Sequence, residues 1–428
     1  MTVEDTIGRI IEEVNRISLP GPGYTRPSYS PLETQAHAVV AREAERLGMT
    51  VSRDAASNLF ARLPGRDRAA PPLHIGSHLD TVANGGAYDG QAGVAGAMAL
   101  AAHFVESGET PPVDLVVTVT RAEESVWFPV SYIGSRAALG RLSAPELEAR
   151  RSDTGETLAH HMRLEGGDPR AVLEGPGLPT ASFIEIHIEQ GPVLFDAGEP
   201  FALVSGVRGG LRYREARIEG TWAHSGGAPK ASRADAVVAF ADLVTALDRH
   251  WDAILADGGD LAVTFGRVDA ASSEHAFAKV PGRLAFCIDI RSGEDGMLER
   301  MDAILQREIA GIEERRGVRF HMGPQSRSRP ASLSAGLNRR IGEASAALDL
   351  KPRTMLSGGG HDAAAFAAAG FDSTMLFIRN WNGSHNPDEG MDEKDLALAV
   401  RALAAAFADR QADGGARLPR KAFPIEKA

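Results

Sequence analysis

The stretch GSHLDTVANGGAYDG (residues 76–90) places one imidazole, His78, and two carboxylates, Asp80 and Asp89, among glycines at the end of an apolar run. Nitrogen and oxygen donors grouped this way suit a divalent cation. The ordinary alternative is a pair of turn-forming aspartates beside a structural histidine. Other strand-like runs bear on the choice. VDLVVTVT (113–120) runs into Glu123 and Glu124, STMLFIRN (373–380) leads to His385 in WNGSHNP, and ASFIEIHIEQG (181–191) carries His187. His78, Asp89, Glu124, His187 and His385 are about as many groups as two metal ions sharing a bridging carboxylate require. Asp89 is the natural bridge, because a carboxylate has two oxygens to share. Asp80, two residues after His78, can accept the other ring N–H of that histidine and fix its tautomer. Glu123 and Glu124 are adjacent, so their side chains diverge at a strand end: one can bind metal while its neighbour stays free as a base.

These groups need a scaffold that brings strand ends together. LHIGS (73–77) reads as a short buried strand running into His78, and GVAGAMALAAHFVESG (93–108) as a small-residue helix able to pack closely on a sheet. In 181–191, Phe183, Glu185, His187 and Glu189 alternate with Ile184, Ile186 and Ile188, the period of a strand. SPLETQAHAVVAREAERLGM predicts a helix with Ser30 as cap, Pro31 in its first position, Glu33 completing a capping box and Gly48 ending it. Potential ligands gathered at strand ends are the pattern of α/β sheets. Between 212 and 327 the pattern changes to strand (212–220), helix (233–250), strand (260–268), strand (283–291), helix (292–316) and strand (317–322), with Ser292 as cap of the second helix. This βαββαβ order predicts a ferredoxin-like insert. The last fifteen or so residues are polar and are expected to fray.

Bulk properties narrow the class. The chain of 428 residues, 43% hydrophobic and 24% charged, is long enough for two to three domains. A net charge of −11 argues against nucleic acid or an anionic membrane as partner. Cys287 is the single cysteine, so no intramolecular disulfide forms, any metal must sit on nitrogen and oxygen, and a reducing compartment is expected. The N-terminus reads as an acidic amphipathic helix rather than a signal peptide, and no run approaches the roughly 18 apolar residues of a membrane span. A cytoplasmic protein is expected.

GSHLDTVANGGAYDG, AEES, IEIHIEQGPVL, AHSGGAPKASRADA, VPGRLAFCIDIR, SGGGHDAAAFA and NGSHNPDEG resemble, in order from residue 76 to 390, the signatures of the N-carbamoyl-L-amino-acid hydrolase and allantoate amidohydrolase family. These are di-metal amidohydrolases related to aminoacylases and metallo-carboxypeptidases. TRPSYSPLETQA also resembles the family's N-terminal helix entry. The resemblance implies an α/β fold: an aminopeptidase-like catalytic domain with a mixed sheet between helices (1–211 and 328–428) and an inserted ferredoxin-like lid and dimerisation domain (212–327). It implies His78, Asp89, Glu124, His187 and His385 as ligands of two divalent ions, zinc by default and manganese, cobalt or nickel as alternatives. It further implies Glu123 as general base, a cis peptide at Asp89–Gly90, and His224 as a lid histidine reaching a partner's active site. Arg291 resembles the arginine that clamps the substrate carboxylate. Independently, Arg291 shares a strand face with Asp289 and Cys287, opposite Ile288 and Ile290. Gln190 and His361 match positions lining the same pocket.

Departures from the family pattern fall where substrate is recognised. Ala278 stands where an asparagine is common, Ser125, Val126 and Trp127 replace glycine, small, arginine, and the lid motif ends Pro229-Lys230 instead of Pro-Met. The turn VRGGLRY (207–213) lacks a polar residue often found before its arginine. The expected activity is hydrolysis of the C–N bond of an N-carbamoyl amino acid: metal-bound water, its pKa lowered from about 15.7 toward about 7, attacks the ureido carbon. Loss of the amide at Ala278 and gain of Trp127, as a flat wall in the site, would favour an N-acyl or aminoacyl conjugate. A non-catalytic binding protein would require a lost base or ligand, and none is lost.

Overall fold

A computed structural model describes residues 2–270 and 274–408, and the expected fraying of the last residues lies outside this range. The chain divides into two compact units, Met1–Leu203 with Ser334–Thr354 and Ala365–Ala428, and Val204–Leu333 with Met355–Ala364. Among the described residues no helix is long and apolar enough to cross a membrane.

The first unit is built on a mixed sheet. Helix α1 (Val3–Asn15) starts from a capping box between Thr2 and Asp5 and buries Ile7, Ile10, Ile11 and Val14. Helix α2 (Pro31–Arg46) is capped by Ser30 and followed by Gly48 at φ +75°. Glu33 does not close the expected capping box: its carboxylate accepts the N–H of Tyr29 at 2.7 Å and that of Ala122 at 2.9 Å. A buried carboxylate takes the donors that long-range packing brings to it, and here those lie outside its own first turn.

Strands β1 (Thr50–Arg53), β2 (Leu59–Leu63), β3 (Leu73–His78), β4 (Leu115–Thr120) and β5 (Ser182–Ile188), with the strand Asp372–Ile378, lie in the order β1-β2-β4-β3-β5-(372–378). β3, β4, β5 and 372–378 run mutually parallel, so their C-terminal ends emerge at one edge. β3 and β4 are buried at every residue, as strands covered on both faces are. Helix α3 (Gln91–Ser107) owes its close seat on the sheet to small residues. A Cβ on Gly93 would lie 1.9 Å from the carbonyl oxygen of Ile186.

The second unit carries an antiparallel sheet in the order (319–321)-(209–219)-(283–292)-(262–269), with helices Ala236–Ala256 and Met297–Arg316. Strand Gln325–Ser328 pairs with the first strand as well. Along Arg283–Ser292 burial alternates, with Cys287, Asp289 and Arg291 half-buried and Ile288 and Ile290 buried. Ser292 is not a helix cap. It ends the strand, its Oγ donating to Asp260 O at 2.7 Å, and Gly296 precedes the helix instead.

Candidate metal centre

His78 closes β3, the 121–124 loop follows β4, His187 lies in β5, and His385 lies in the loop after strand 372–378. The parallel sheet therefore delivers all of them to one edge. Two triads result, His78–Asp89–His187 and Asp89–Glu124–His385, each with ligand atoms within 4.8 Å of one another and both using Asp89. Asp89 Oδ1 lies 3.1 Å from His187 Nε2 and 3.6 Å from His78 Nε2, while Oδ2 lies 3.4 Å from His385 Nε2. Glu124 Oε1 is also 3.4 Å from His385 Nε2. Donors bound tetrahedrally at about 2.1 Å are separated by about 3.4 Å, so these spacings suit an ion at each triad. The buried His78 Nε2 has no hydrogen-bond partner, as expected of an atom reserved for a ligand bond. The residues fit two divalent cations.

The electrostatics agree. Burial opposes charge on His78, yet the neighbouring carboxylates of Asp80, Asp89 and Glu123 hold its pKa well above the usual range. Hydrogen bonds to Asp89 and Glu124 push His385 up to about 11. Burial raises Glu124. This concentration of carboxylate charge calls for positive charge, whether protons or metal ions.

Supporting contacts fix the ligands. His78 Nδ1 lies 3.3 Å from Asp80 Oδ1 and 3.1 Å from the Asp80 carbonyl, and His187 Nδ1 lies 2.9 Å from Ile188 O. Glu123 is mostly buried, its Oε2 3.9 Å from His78 Nε2. Its side chain is thus beside the first triad while Glu124 joins the second, the divergence expected of adjacent residues. The Asp89–Gly90 peptide is trans, contrary to the expectation from resemblance. The chain turns sharply there by another means: Gly90 adopts φ +65° and ψ −50°, and Gln91 N–H donates to Asp89 O at 2.7 Å, a γ-turn. A Cβ at this position would lie 2.5 Å from the His78 ring.

Several partners escaped the sequence reading. Ser28 Oγ donates to Asp80 Oδ2 at 2.5 Å. Glu389 Oε1 accepts the N–H groups of Tyr88 and Asp89, at 2.9 and 3.1 Å, and Ser384 Oγ lies between Asp89 Oδ2 and Glu389 Oε2, at 2.5 and 2.6 Å, with one proton to give to either. Ser28 and Glu389 stand inside stretches singled out by resemblance, but nothing in their spacing announces these bonds. Gln190, expected in the substrate pocket, lies in this unit with its Nε2 donating to Asp89 Oδ2 at 2.8 Å.

The remaining predicted residues lie in the second unit. His224 is exposed in the two-residue strand Ala223–His224, which pairs with Lys279–Val280. Its Nδ1 accepts from the N–H groups of Gly226 and Gly227, at 3.2 and 3.0 Å, so its proton sits on Nε2. Arg291 binds Asp289 Oδ2 through Nε and Nη2, and Gly358 O through Nη1 at 2.7 Å. Arg212 Nε meets the same aspartate at 3.1 Å. His361 is buried. Trp127, in the first unit, does not form an apolar site wall. It packs with Tyr29, Phe128 and Ile133, and its indole N–H donates to Thr81 O at 2.7 Å. Lys230 is exposed.

Two candidate ligand triads sharing one carboxylate at the C-terminal edge of a parallel sheet are an arrangement of the kind that metal-dependent hydrolases use. Residues 74–409 match the model of peptidase family M20/M25/M40, to which the chain belongs. It is 30% identical over 398 residues to an N-carbamoyl-L-amino-acid amidohydrolase of Paenarthrobacter aurescens, covering 92% of this chain and 94% of that one. It is 31% identical over 390 residues to the allantoate amidohydrolase of Escherichia coli, covering 90% and 92%. A crystal structure of a hydantoinase/carbamoylase family amidase from Burkholderia multivorans superposes with a TM-score of 0.85 at 25% identity, covering 95% and 97%. The fold is that of the aminopeptidase-like amidases, and the chain is a hydrolase of C–N bonds.

Proposed function

We propose that this enzyme hydrolyses the ureido C–N bond of an N-carbamoyl amino acid, releasing the amino acid and a carbamate that decays to carbon dioxide and ammonia. The observation that carries the reading is the pair of triads around Asp89 with the Glu123 carboxylate beside them. His78, Asp89 and His187 would hold one divalent ion and Asp89, Glu124 and His385 the other, with zinc the first choice and manganese, cobalt or nickel the alternatives. When bound, the ions polarise the scissile carbonyl and acidify a water.

Glu123 takes the proton of the attacking water and returns it to the leaving nitrogen. His224, with its proton on Nε2, is the donor to the oxyanion, supplied across a homodimer interface formed by residues 212–327. Arg291 receives the substrate carboxylate, and Gln190 and His361 are further residues assigned to substrate binding. In this reading residues 1–211 and 328–428 are the catalytic domain, 212–327 the lid, and the cytoplasm the place of action.

The rival N-acyl or aminoacyl substrate rests on Ala278 alone, since the buried Trp127 offers it no wall. An activity screen of metal-reconstituted enzyme on N-carbamoyl, N-acyl and aminoacyl amino acids tests the choice. A kcat/KM at least tenfold higher for a carbamoyl compound supports the reading, and the reverse order overturns it.

A further inference from the structure

The turn that presents the two site glutamates is held by groups that no ligand or base assignment includes. Strand β4 ends at Thr120, and Ala122 then adopts φ +51°, a left-handed conformation unfavourable for any residue with a Cβ. Three consecutive backbone N–H groups in this turn end on buried carboxylates. Ala122 N–H donates to Glu33 Oε1 at 2.9 Å, Glu123 N–H to Asp80 Oδ1 at 3.0 Å, and Glu124 N–H to Asp80 Oδ2 at 3.2 Å. Such a run of amides converging on anions is an electrostatic cradle that fixes each peptide plane.

Glu33 is fully buried in the first turn of α2, and its Oε2 takes Nη1 of the equally buried Arg121 at 2.9 Å. That guanidinium is itself locked, through Nε to Ser57 O at 3.0 Å and Nη2 to Thr34 Oγ1 at 2.9 Å. The pair therefore joins α2 to both the side chain of residue 121 and the backbone of residue 122, immediately before the divergence of Glu123 and Glu124.

We propose that Glu33 and Arg121 form a positioning pair that sets the orientation of Glu123 for proton transfer. The proposal rests on the reading of Glu123 as the base. The left-handed residue gives the turn its direction, and Glu33 holds it there instead of closing the capping box of its own helix. Removing that hold lets the peptide planes at 121 and 122 rotate, which displaces Glu123 from its productive geometry, while Glu124 keeps its Asp80 Oδ2 anchor and the ligands on β3, β5 and the 385 loop stay in place.

Glu33→Asp tests this. It keeps a carboxylate beside Arg121 but withdraws it by one methylene, about 1.5 Å, from the Ala122 N–H. Arg121→Lys, which keeps the charge but loses the fork, is measured alongside it, as is Glu123→Gln. With kcat and KM taken per metal-loaded protomer on the fastest substrate of the panel above, Glu33→Asp is expected to lower kcat at least tenfold with KM within twofold and metal content unchanged. A purely structural role would reduce thermal stability or yield while leaving kcat per loaded protomer within twofold of the parent, and that result overturns the proposal. If Glu33→Asp does not fold, Arg121→Lys decides by the same criterion, and failure of both to fold also overturns it. An active Glu123→Gln would instead defeat the assignment of the base, whatever Glu33 does.

Discussion

In the first unit, the turn at 121–124 has its backbone donors taken up by buried carboxylates and its side chains almost wholly enclosed. In the second unit, His224 sits exposed on a two-residue strand, steadied by the N–H groups of two glycines, and Phe277, two residues before the strand it pairs with, is fully exposed. Both segments carry groups to which proton transfer or donation is assigned. The first is preorganised by its own unit. The second fixes a tautomer but little else locally, as suits a group whose working position is completed elsewhere. Catalytic groups can thus be poised by enclosure or by leaving a defined donor at a surface, and the two should respond differently to mutation.

The largest effect is expected at the enclosed end. Glu123→Gln should lower kcat by about 10²–10⁴-fold or more while elemental analysis still finds the metals. If that variant loses metal and Glu124→Gln retains it, the assignment of the adjacent pair is reversed. Gly90→Ala comes next: its Cβ would press on the His78 ring, so the variant should bind about one equivalent less metal and lose most activity, by metal titration and turnover.

At the exposed end, His224→Ala should lower kcat by about 10²-fold with stability unchanged. Mixing subunits of His224→Ala with those of Glu123→Gln, under conditions that exchange protomers, should restore about a quarter of parental activity if the histidine serves a partner's site. No recovery in demonstrably mixed dimers would place His224 in its own subunit's site.

The smallest effects concern stability in the first unit. Glu43 on α2 is buried, which opposes its charge, but hydrogen bonds from Arg46 and Arg9 outweigh this and bring its pKa down to about 2. The folded-state value lies below the unfolded one, so the pair's contribution is present above about pH 4.5 and is lost as pH falls toward 2. Glu43→Gln should cost about 1 kcal/mol by denaturant unfolding at neutral pH, since both arginines are partly exposed, and the difference should vanish in acid. Activity per folded protomer should not change. Trp127→Phe should likewise cost about 1 kcal/mol, from the lost bond to Thr81, and leave the substrate order unaltered. A changed substrate order would return Trp127 to the pocket.

Much of the scaffold was legible because its signals are local. The alternation of 182–188, the short runs bounded by turn residues that become the buried β3 and β4, and the Ser30-Pro31 helix start each express a preference within a few residues, and the strands form at nearly those limits. The donor chemistry of His78, Asp89, Glu124, His187 and His385 was legible too, since residue type and strand-end position are properties of the chain. Local plausibility failed where a side chain had a distant competitor. Glu33 left its expected capping box for an amide 89 residues away. Ser292 bonded Asp260 instead of starting a helix. Trp127 found a carbonyl and an apolar cluster rather than a substrate.

The sequence by itself determined which atoms are able to hold metal and move protons, because donor type and pKa class belong to the residue. Only the tertiary structure decided that Asp89 faces both triads and that Gly90 turns the chain through a trans peptide. It alone decided that Asp80 and Glu33 take up three successive amides behind the glutamates. Those outcomes depend on which buried donors and acceptors meet across a parallel sheet, and a buried polar group must take whichever partner packing supplies.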